Sequence, residues 1–423
     1  MDRVLANFWI LIRGRGAAAI MAFGATALMA RSLGPAEFGM VVLMHTYVML
    51  IRALLDFGSM DAIVRYGVPA QDASDNQTLG RLIKICRRID KQASITAAIL
   101  ALLVAPFAGP AMGMDTKHVM LLMAYSLVLL TTGVGTDAGI LRLFDRFDII
   151  GKQLTISPSI KFFTVIIAWW LGAPIEVFVG IWASAYAAES FYLMWQAKHQ
   201  YNLNIKHTLS FDNLKGAALT DFDGLRHFLW VSYWQSNLDL LPKHITTVLV
   251  GYLLGPIEAG LLRLSHELSG MLAKPAMFIR QVVFVDLTRS WHNESDAFSL
   301  VAYRTAVLGG TLGLAFVLIS HFFGDYLLTN LFGPAFINAK AVLTLMLLSA
   351  SLDLAGSPLR SALYAMGHAF DALRLHIVST AIYLLMFVLL TRQLGLIGAG
   401  LAATAGAALT LTGMVILMRS NKR

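Results

Sequence analysis

Apolar runs of about twenty residues recur along almost the whole chain, and each is long enough to cross the hydrocarbon of a bilayer as a helix. They lie near 8–30, 37–57, 93–112, 119–141, 154–172 and 176–196, and again near 228–251, 258–280, 304–324, 337–356, 375–393 and 396–418. Twelve such spans leave few of the 423 residues for any soluble domain. Composition agrees: 57% of residues are hydrophobic and 14% charged, whereas a soluble domain is nearer half apolar and a quarter charged. Inside hydrocarbon every backbone polar group needs an internal partner, so only helices and closed barrels span. Barrel strands alternate apolar and polar residues, and these runs do not alternate. The expected fold class is an all-α polytopic membrane protein of about twelve transmembrane helices.

Lysine and arginine set the orientation. With Met1 inside, the inward loops collect Arg81, Lys84, Arg87, Arg88 and Lys91, then Arg142, Arg146 and Lys152, and later Lys198, Arg226 and Arg419. The outward side holds Arg31, Lys117, Lys340 and Arg392. Both termini are therefore expected in the cytoplasm, and the net charge of +8 is largely a topology signal. With no basic domain outside the membrane, no nucleic-acid partner is expected. Cys86 is the single cysteine, which excludes a disulfide framework or cysteine-rich metal site within one chain. Arg13 and Arg15 fall where a signal peptide would have its apolar core, so the first span reads as retained. Gly151-Lys152 is followed by Gln153 and lacks the upstream glycine of a phosphate-binding loop. No ATPase and no cofactor are expected.

One turn is written twice. Leu33-Gly34-Pro35-Ala36-Glu37-Phe38-Gly39 and Leu254-Gly255-Pro256-Ile257-Glu258-Ala259-Gly260 both fit L-G-P-x-E-x-G at an offset of 221. Trp9 and Trp230 share that offset, and Phe147-Asp148 with Phe370-Asp371, and Leu171-Gly172 with Leu394-Gly395, lie 223 apart. Any one of these is an ordinary helix stop; together they indicate two six-helix halves. Six is even, so the halves enter from the same side and form a parallel repeat around a central cavity. The expected organisation is an N-terminal lobe over 1–200, a cytoplasmic linker over 201–227 and a C-terminal lobe over 228–423.

The stretch Arg31–Gly39, followed by a span ending Leu55-Asp56-Phe57-Gly58, resembles the start of Wzx-type polysaccharide flippases, a branch of the multidrug/oligosaccharidyl-lipid/polysaccharide exporter superfamily. Gly251–Gly260 resembles the matching turn of the second half, and Leu331-Phe332-Gly333-Pro334-Ala335-Phe336 another recurrent stretch. The resemblance covers essentially the whole chain, on structural turns rather than chemistry. It implies a transporter, not an enzyme. The implied cargo is an undecaprenyl-diphosphate-linked glycan moved across the bacterial inner membrane for surface polysaccharide synthesis. The expected partners are that glycan and the lipid bilayer, with a polysaccharide polymerase and chain-length regulator as further candidates.

Charges within spans carry the functional reading, because each costs roughly 2.5–3.5 kcal/mol at a helix centre and needs water or a partner. The cations are Arg13, Arg15, Arg52, Lys161, Lys243, Arg263, Lys274 and Arg280; the acids are Asp56, Asp137, Glu189, Asp239, Glu267 and Asp353. The excess of cations suits an anionic cargo. Arg52 and Lys274 lie 222 apart, at repeat-related positions, and would clamp a diphosphate from both lobes. Lys243, Arg263 and Arg13 are the further diphosphate candidates. The alternatives are packing ion pairs, Asp239 with Lys243 and Arg263 with Glu267, each four apart, and snorkelling at the interface for Arg13, Arg15 and Arg280. Asp137, Glu189, Asp239 and Glu267 are candidates to couple a proton or Na⁺; for Asp137 and Glu189 the alternative is a hydrogen bond to a neighbouring helix. His45 and His266 read as packing residues, with a proton carrier as the alternative. Pro106, Pro110, Pro158, Pro242, Pro275 and Pro358 fall within spans and would kink them, and the small-residue run 395–406 suits close helix packing. Leu82, Ile85, Cys86 and Ile89 share one helical face opposite Arg81, Lys84, Arg88 and Lys91, which predicts a basic amphipathic helix on the anionic inner leaflet. The competing functions are a multidrug antiporter, whose cationic cargo would want an acidic or apolar cavity, and a membrane polysaccharide polymerase or ligase, which would need large outward loops.

Overall fold

The computed structural model of the chain describes residues 2–205, 218–270 and 297–420. Among them there is helix and turn but no strand. The first helix, α1 (Asp2–Leu54), holds the first two predicted spans and breaks at Gly34, where φ is 71° and ψ 175°. Only glycine enters that region without strain, and Pro35 then restarts the helix where its missing N–H costs nothing. The second copy of the turn does the same: Gly255 has φ 105°, and α9 (256–270) begins at Pro256.

Between them run α2 (Ser59–Asp72), α3 (Asn76–Ala111), α4 (Thr116–Ser126), α5 (Gly135–Leu143), α6 (Phe147–Trp170), α7 (Ile175–Asn204) and α8 (Leu225–Leu253). After α9 come α10 (Ala297–Leu331), α11 (Lys340–Ala365), α12 (Ala369–Leu394) and α13 (Leu396–Ser420). Most of each predicted span falls on helix where it is described, and among the described residues eight helical stretches are long and apolar enough to cross a membrane, one of them the broken Gly16–Asp72. Pro106, Pro110, Pro158, Pro242 and Pro358 sit inside continuous helices. Asp75 and Asp115 cap α3 and α4 by accepting from the backbone N–H of Thr78 and His118. These bonds hold both carboxyls below their usual range.

The repeat is visible in detail as well as in the turns. Asp148 and Asp371 each lie in the first turn of their helix and each bind the base just before it: Arg146 Nε at 2.9 Å and His368 Nδ1 at 2.9 Å. Gly172 and Gly395, which follow α6 and α12, have φ 60° and 62°.

Two sequence expectations change. The fourth span is broken: α4 tightens into a 3₁₀ turn over Leu127–Thr131, and helix resumes only at Gly135. A Cβ on Gly133 would come within 2.7 Å of the Asp90 carbonyl oxygen, so α3 presses on the break. The amphipathic stretch 79–91 is not a leaflet helix but the first half of α3. Its apolar face, with Leu82, Ile85 and Cys86, is buried against Ala62 and Ile63 of α2, Ile140 and Leu141 of α5, and Leu193 and Ala197 of α7. A protein core supplied the apolar partner that periodicity assigned to lipid.

The chain divides into two compact units, one of Met1–Leu33 and Met44–Ile245, the other of Gly34–Leu43 and Thr246–Arg423. In the second unit α10, α11 and α13 share a core around Ala302, Leu359, Leu363 and Met414. Gly400 and Gly406 lie within 2.8 and 3.0 Å (from a built Cβ) of Leu345 and Tyr383, which realises the close packing expected of the small-residue run. The segment Gly34–Leu43 packs on α9. A Cβ on Gly39 would overlap the carbonyl of Pro256, and one on Gly260 would lie 3.1 Å from the Gly39 Cα. Gly39→Ala should therefore force the two backbones apart. We expect a loss of about 1–3 kcal/mol, as for overpacking in a filled core, read as a lower thermal midpoint of the detergent-solubilised protein. Gly16→Ala, with nothing within 4 Å of the added methyl, should leave the midpoint unchanged.

Candidate functional site

Polar side chains from α1, α6 and α7 gather within the first unit. His45 and Arg52 are seven apart and share one face of α1; Trp182, Tyr186 and Glu189 share one face of α7 at spacings of four and seven. From α6 come Gln153 and Lys161. His45 Nδ1 lies 2.9 Å from the Tyr125 hydroxyl, and its Nε2 lies 3.4 Å from the Tyr186 hydroxyl. The His45 and Tyr186 rings stack at 5.3 Å.

Lys161 is buried, and its Nζ sits 4.0 Å from the centre of the Tyr186 ring and 4.9 Å from that of Trp182. The negative faces of the two rings replace part of the lost hydration of the ammonium. Gln153 Nε2 donates to Glu189 Oε1 at 2.6 Å. Lys161 and Arg52 are both close enough to act on the Glu189 charge. Two cations thus lie within electrostatic range of one carboxylate, and the cluster carries net positive charge against an aromatic wall.

A second polar cluster holds the broken fourth span. Arg87 Nη2 donates to Asp137 Oδ1 at 2.7 Å. One turn along α3, Asp90 Oδ2 accepts from the backbone N–H of Thr136 at 2.6 Å and from its hydroxyl at 2.7 Å. Two residues three apart on α3 therefore bind two adjacent residues in the first turn of α5, and Asp90 supplies the cap that the N-cap residue of α5, Val134, does not.

Of the residues singled out from sequence, Arg52 and Glu189 are brought to one place, whereas Asp137 belongs to the α3–α5 clasp. In the second unit Arg263 Nη2 binds Glu267 Oε1 at 3.1 Å, so its guanidinium is engaged along its own helix. The side chains of Arg13, Asp239 and Lys243, and the whole of Lys274, lie outside the described residues. Sequence reading named Lys161 among the membrane cations but gave it no role, because its partners are on another helix. The signal was the spacing of Trp182, Tyr186 and Glu189, an aromatic and acidic stripe on an apolar helix. Arg87 and Asp90 were hidden within a stretch that reads as a surface helix.

Residues 4–285 match the family described as polysaccharide biosynthesis protein. The inner membrane protein YghQ of Escherichia coli (strain K12) is 24% identical over 329 residues, covering 76% of this chain and 90% of that protein. Among solved structures, an inward-facing multidrug resistance MATE family transporter of the MOP superfamily is similar over 95% of both chains, with TM-score 0.73 and 14% identity. The lipid II flippase MurJ, in an inward closed conformation, is similar over 97% of this chain and 87% of that one, with TM-score 0.73 and 12% identity. At these identities the likeness establishes the fold.

The clasp makes a prediction of its own. Asp137 is buried and Arg87 37% exposed. Removing one partner strands the other, and the exposure of Arg87 moderates the cost. We expect Arg87→Ala to destabilise by about 2–3 kcal/mol, and the double change Arg87→Met with Asp137→Leu to cost clearly less. Thermal unfolding of the four variants of this cycle measures both.

Proposed function

The chain belongs to the polysaccharide biosynthesis protein family, and we propose that it flips an undecaprenyl-diphosphate-linked oligosaccharide across the bacterial inner membrane by alternating access, for surface polysaccharide synthesis. The observation that carries this reading is the pair of cations, Arg52 and Lys161, set near one carboxylate inside the first unit. A diphosphate offers several anionic oxygens to such a pair: Arg52 presents a planar fork and Lys161 a compact charge. The ring faces of Trp182 and Tyr186 add apolar surface of the kind on which sugar rings stack.

No covalent chemistry is required of the protein. Cargo enters from the cytoplasmic side, on which both termini lie, and leaves toward the periplasm, where a polymerase and chain-length regulator would use it. Glu189 is the leading candidate to couple a proton or Na⁺, since it and the diphosphate compete for the same cations. Asp137 follows it, with Asp239 and Glu267 as the candidates of the second half. An organic-cation antiporter is disfavoured because a cationic cargo would meet Arg52 and Lys161 with like charge.

The test is leaflet-resolved. In a strain lacking the gene, lipid-linked glycan should accumulate where an impermeant lectin reaches it in inverted vesicles but not in spheroplasts. Complementation with Arg52→Ala or Lys161→Gln should lower outward delivery at least tenfold at normal protein levels. Lys243→Gln, Arg263→Gln and Lys274→Gln enter the same assay. Wild-type export by both Arg52→Ala and Lys161→Gln would refute the cationic site; normal outward glycan in the deletion strain would refute flipping of that glycan.

A further inference from the structure

Arg226 and His227 stand at the head of a groove of about 1070 Å³ that lies wholly within the first unit, walled by Leu55, Phe57, Ala93 and Trp230. Its wall is well fixed. Phe57 stacks on Tyr233 at 5.3 Å, Tyr233 on Trp230 at 5.6 Å, and the Tyr233 hydroxyl donates to the Leu54 carbonyl at 3.1 Å.

The depth of the groove can be read from two helices independently. Along α3 the exposed side chains are first basic, Arg81, Arg88 and Lys91. From Ile95 onward they are apolar, Ile99, Leu103 and Phe107 among them, the last 79% exposed. Along α8 the exposed Arg226 and His227 give way to exposed Trp230, Val231 and Trp234. Exposed apolar side chains of a membrane protein face hydrocarbon, exposed arginine and lysine face water or head groups, and tryptophan marks the boundary. The change falls at 92–95 on α3 and at 228–230 on α8, and the groove is lined from both places by Gln92, Ala93, Leu229 and Trp230. It therefore sits at head-group depth. Its far end at Thr96 runs onto the exposed row of Ile99, Leu100 and Leu103, on the same face of α3.

Its lining holds one arginine, Arg226, and one acid, Asp223, and neither makes an ion pair among the described residues. Beyond the lining, Arg88 stands exposed one turn before Gln92 on the same face of α3, so arginine outnumbers acid at the mouth. An apolar slot at head-group depth, with Arg226, Arg88 and His227 against Asp223 at its mouth, fits an acyl chain carrying a phosphate.

We infer that this groove binds one anionic phospholipid of the bilayer, its phosphate at Arg226 and His227 and an acyl chain along Ala93 and Thr96. Neither Arg52 nor Lys161 lines the groove, and its occupant is lipid rather than cargo. The full chain reconstituted in nanodiscs of equal parts phosphatidylglycerol and phosphatidylcholine, then released for native mass spectrometry, reads it directly. Phosphatidylglycerol should be retained several-fold over phosphatidylcholine. The double variant Arg226→Gln, His227→Gln should bring retention down to the bulk ratio. Arg392→Gln, an exposed arginine on α12, should keep the enrichment, and Thr96→Trp, which fills the chain end, should lower retention of both lipids. All four positions are exposed, and an unchanged thermal midpoint certifies that each variant is folded. Equal retention of the two lipids by the unmodified protein, or undiminished enrichment in the double variant, overturns the assignment. So does displacement of phosphatidylglycerol by an equal amount of undecaprenyl phosphate, which would make the groove a carrier site. Absence of any retained lipid overturns it as well.

Discussion

At Gly39 and Gly260 two helices meet backbone to backbone, and the approach leaves no room for a methyl group. In hydrocarbon there is little hydrophobic drive between helices, because lipid tails are as apolar as leucine; close van der Waals packing has to serve instead, and small residues permit it. Each glycine closes one copy of the repeated turn, and each faces the other copy: Gly39 meets Pro256 and Ile257, Gly260 meets Phe38 and Gly39. The positive-φ glycines at the head of the turns, Gly34 and Gly255, aim the helices that make this contact possible. Duplication of the turn is thus more than a trace of repeat architecture. Both copies are needed at one place, and Phe38 extends the contact by packing edge-on against Phe336 at 5.8 Å.

The same medium governs the charges. An ion in a span needs a partner, and the first unit supplies a different one in each case. Arg87 and Asp137 pair directly; Asp90 is bonded by the free N–H of a helix start; Lys161 rests on two aromatic faces and lies close to Glu189; Glu189 also accepts from Gln153. These solutions differ in how firmly they bind the charge. The clasp between α3 and α5 consumes strong, directional groups on both sides, and suits a fixed junction. A ring face is a weaker and less directional partner than a carboxylate, so Lys161 is held less rigidly by its rings than Arg87 is by Asp137.

How much of this was legible follows from range. Spans, turns and caps depend on residues within a few positions of one another, so the twelve apolar runs and the L-G-P turns could be read from the chain. The repeat was legible because its landmarks recur at nearly one offset. The site was only half legible. Arg52 and Glu189 stand out as charges in apolar runs, but no local pattern ties Glu189 to Gln153, 36 positions away, or Lys161 to Tyr186. The stretch 79–91 misleads for a related reason: helical periodicity reports that a face is apolar and is silent on whether lipid or protein covers it.

The Arg52–Lys161–Glu189 arrangement also bears on release, which a transporter needs as much as binding. Two cations with no carboxylate near them would hold a diphosphate tightly in a low-dielectric interior. On the proposed reading, a diphosphate at these cations would compete with Glu189 for them, and the carboxylate would take its place when it departs. The Gln153 amide, 2.6 Å from Glu189, gives that carboxylate a hydrogen-bond donor besides the cations. Affinity is then the difference between two anions for one cationic pair rather than the full attraction of either. On the proposed reading, a difference of that kind is small enough for modest shifts between α1 and the α6–α7 pair to reverse it.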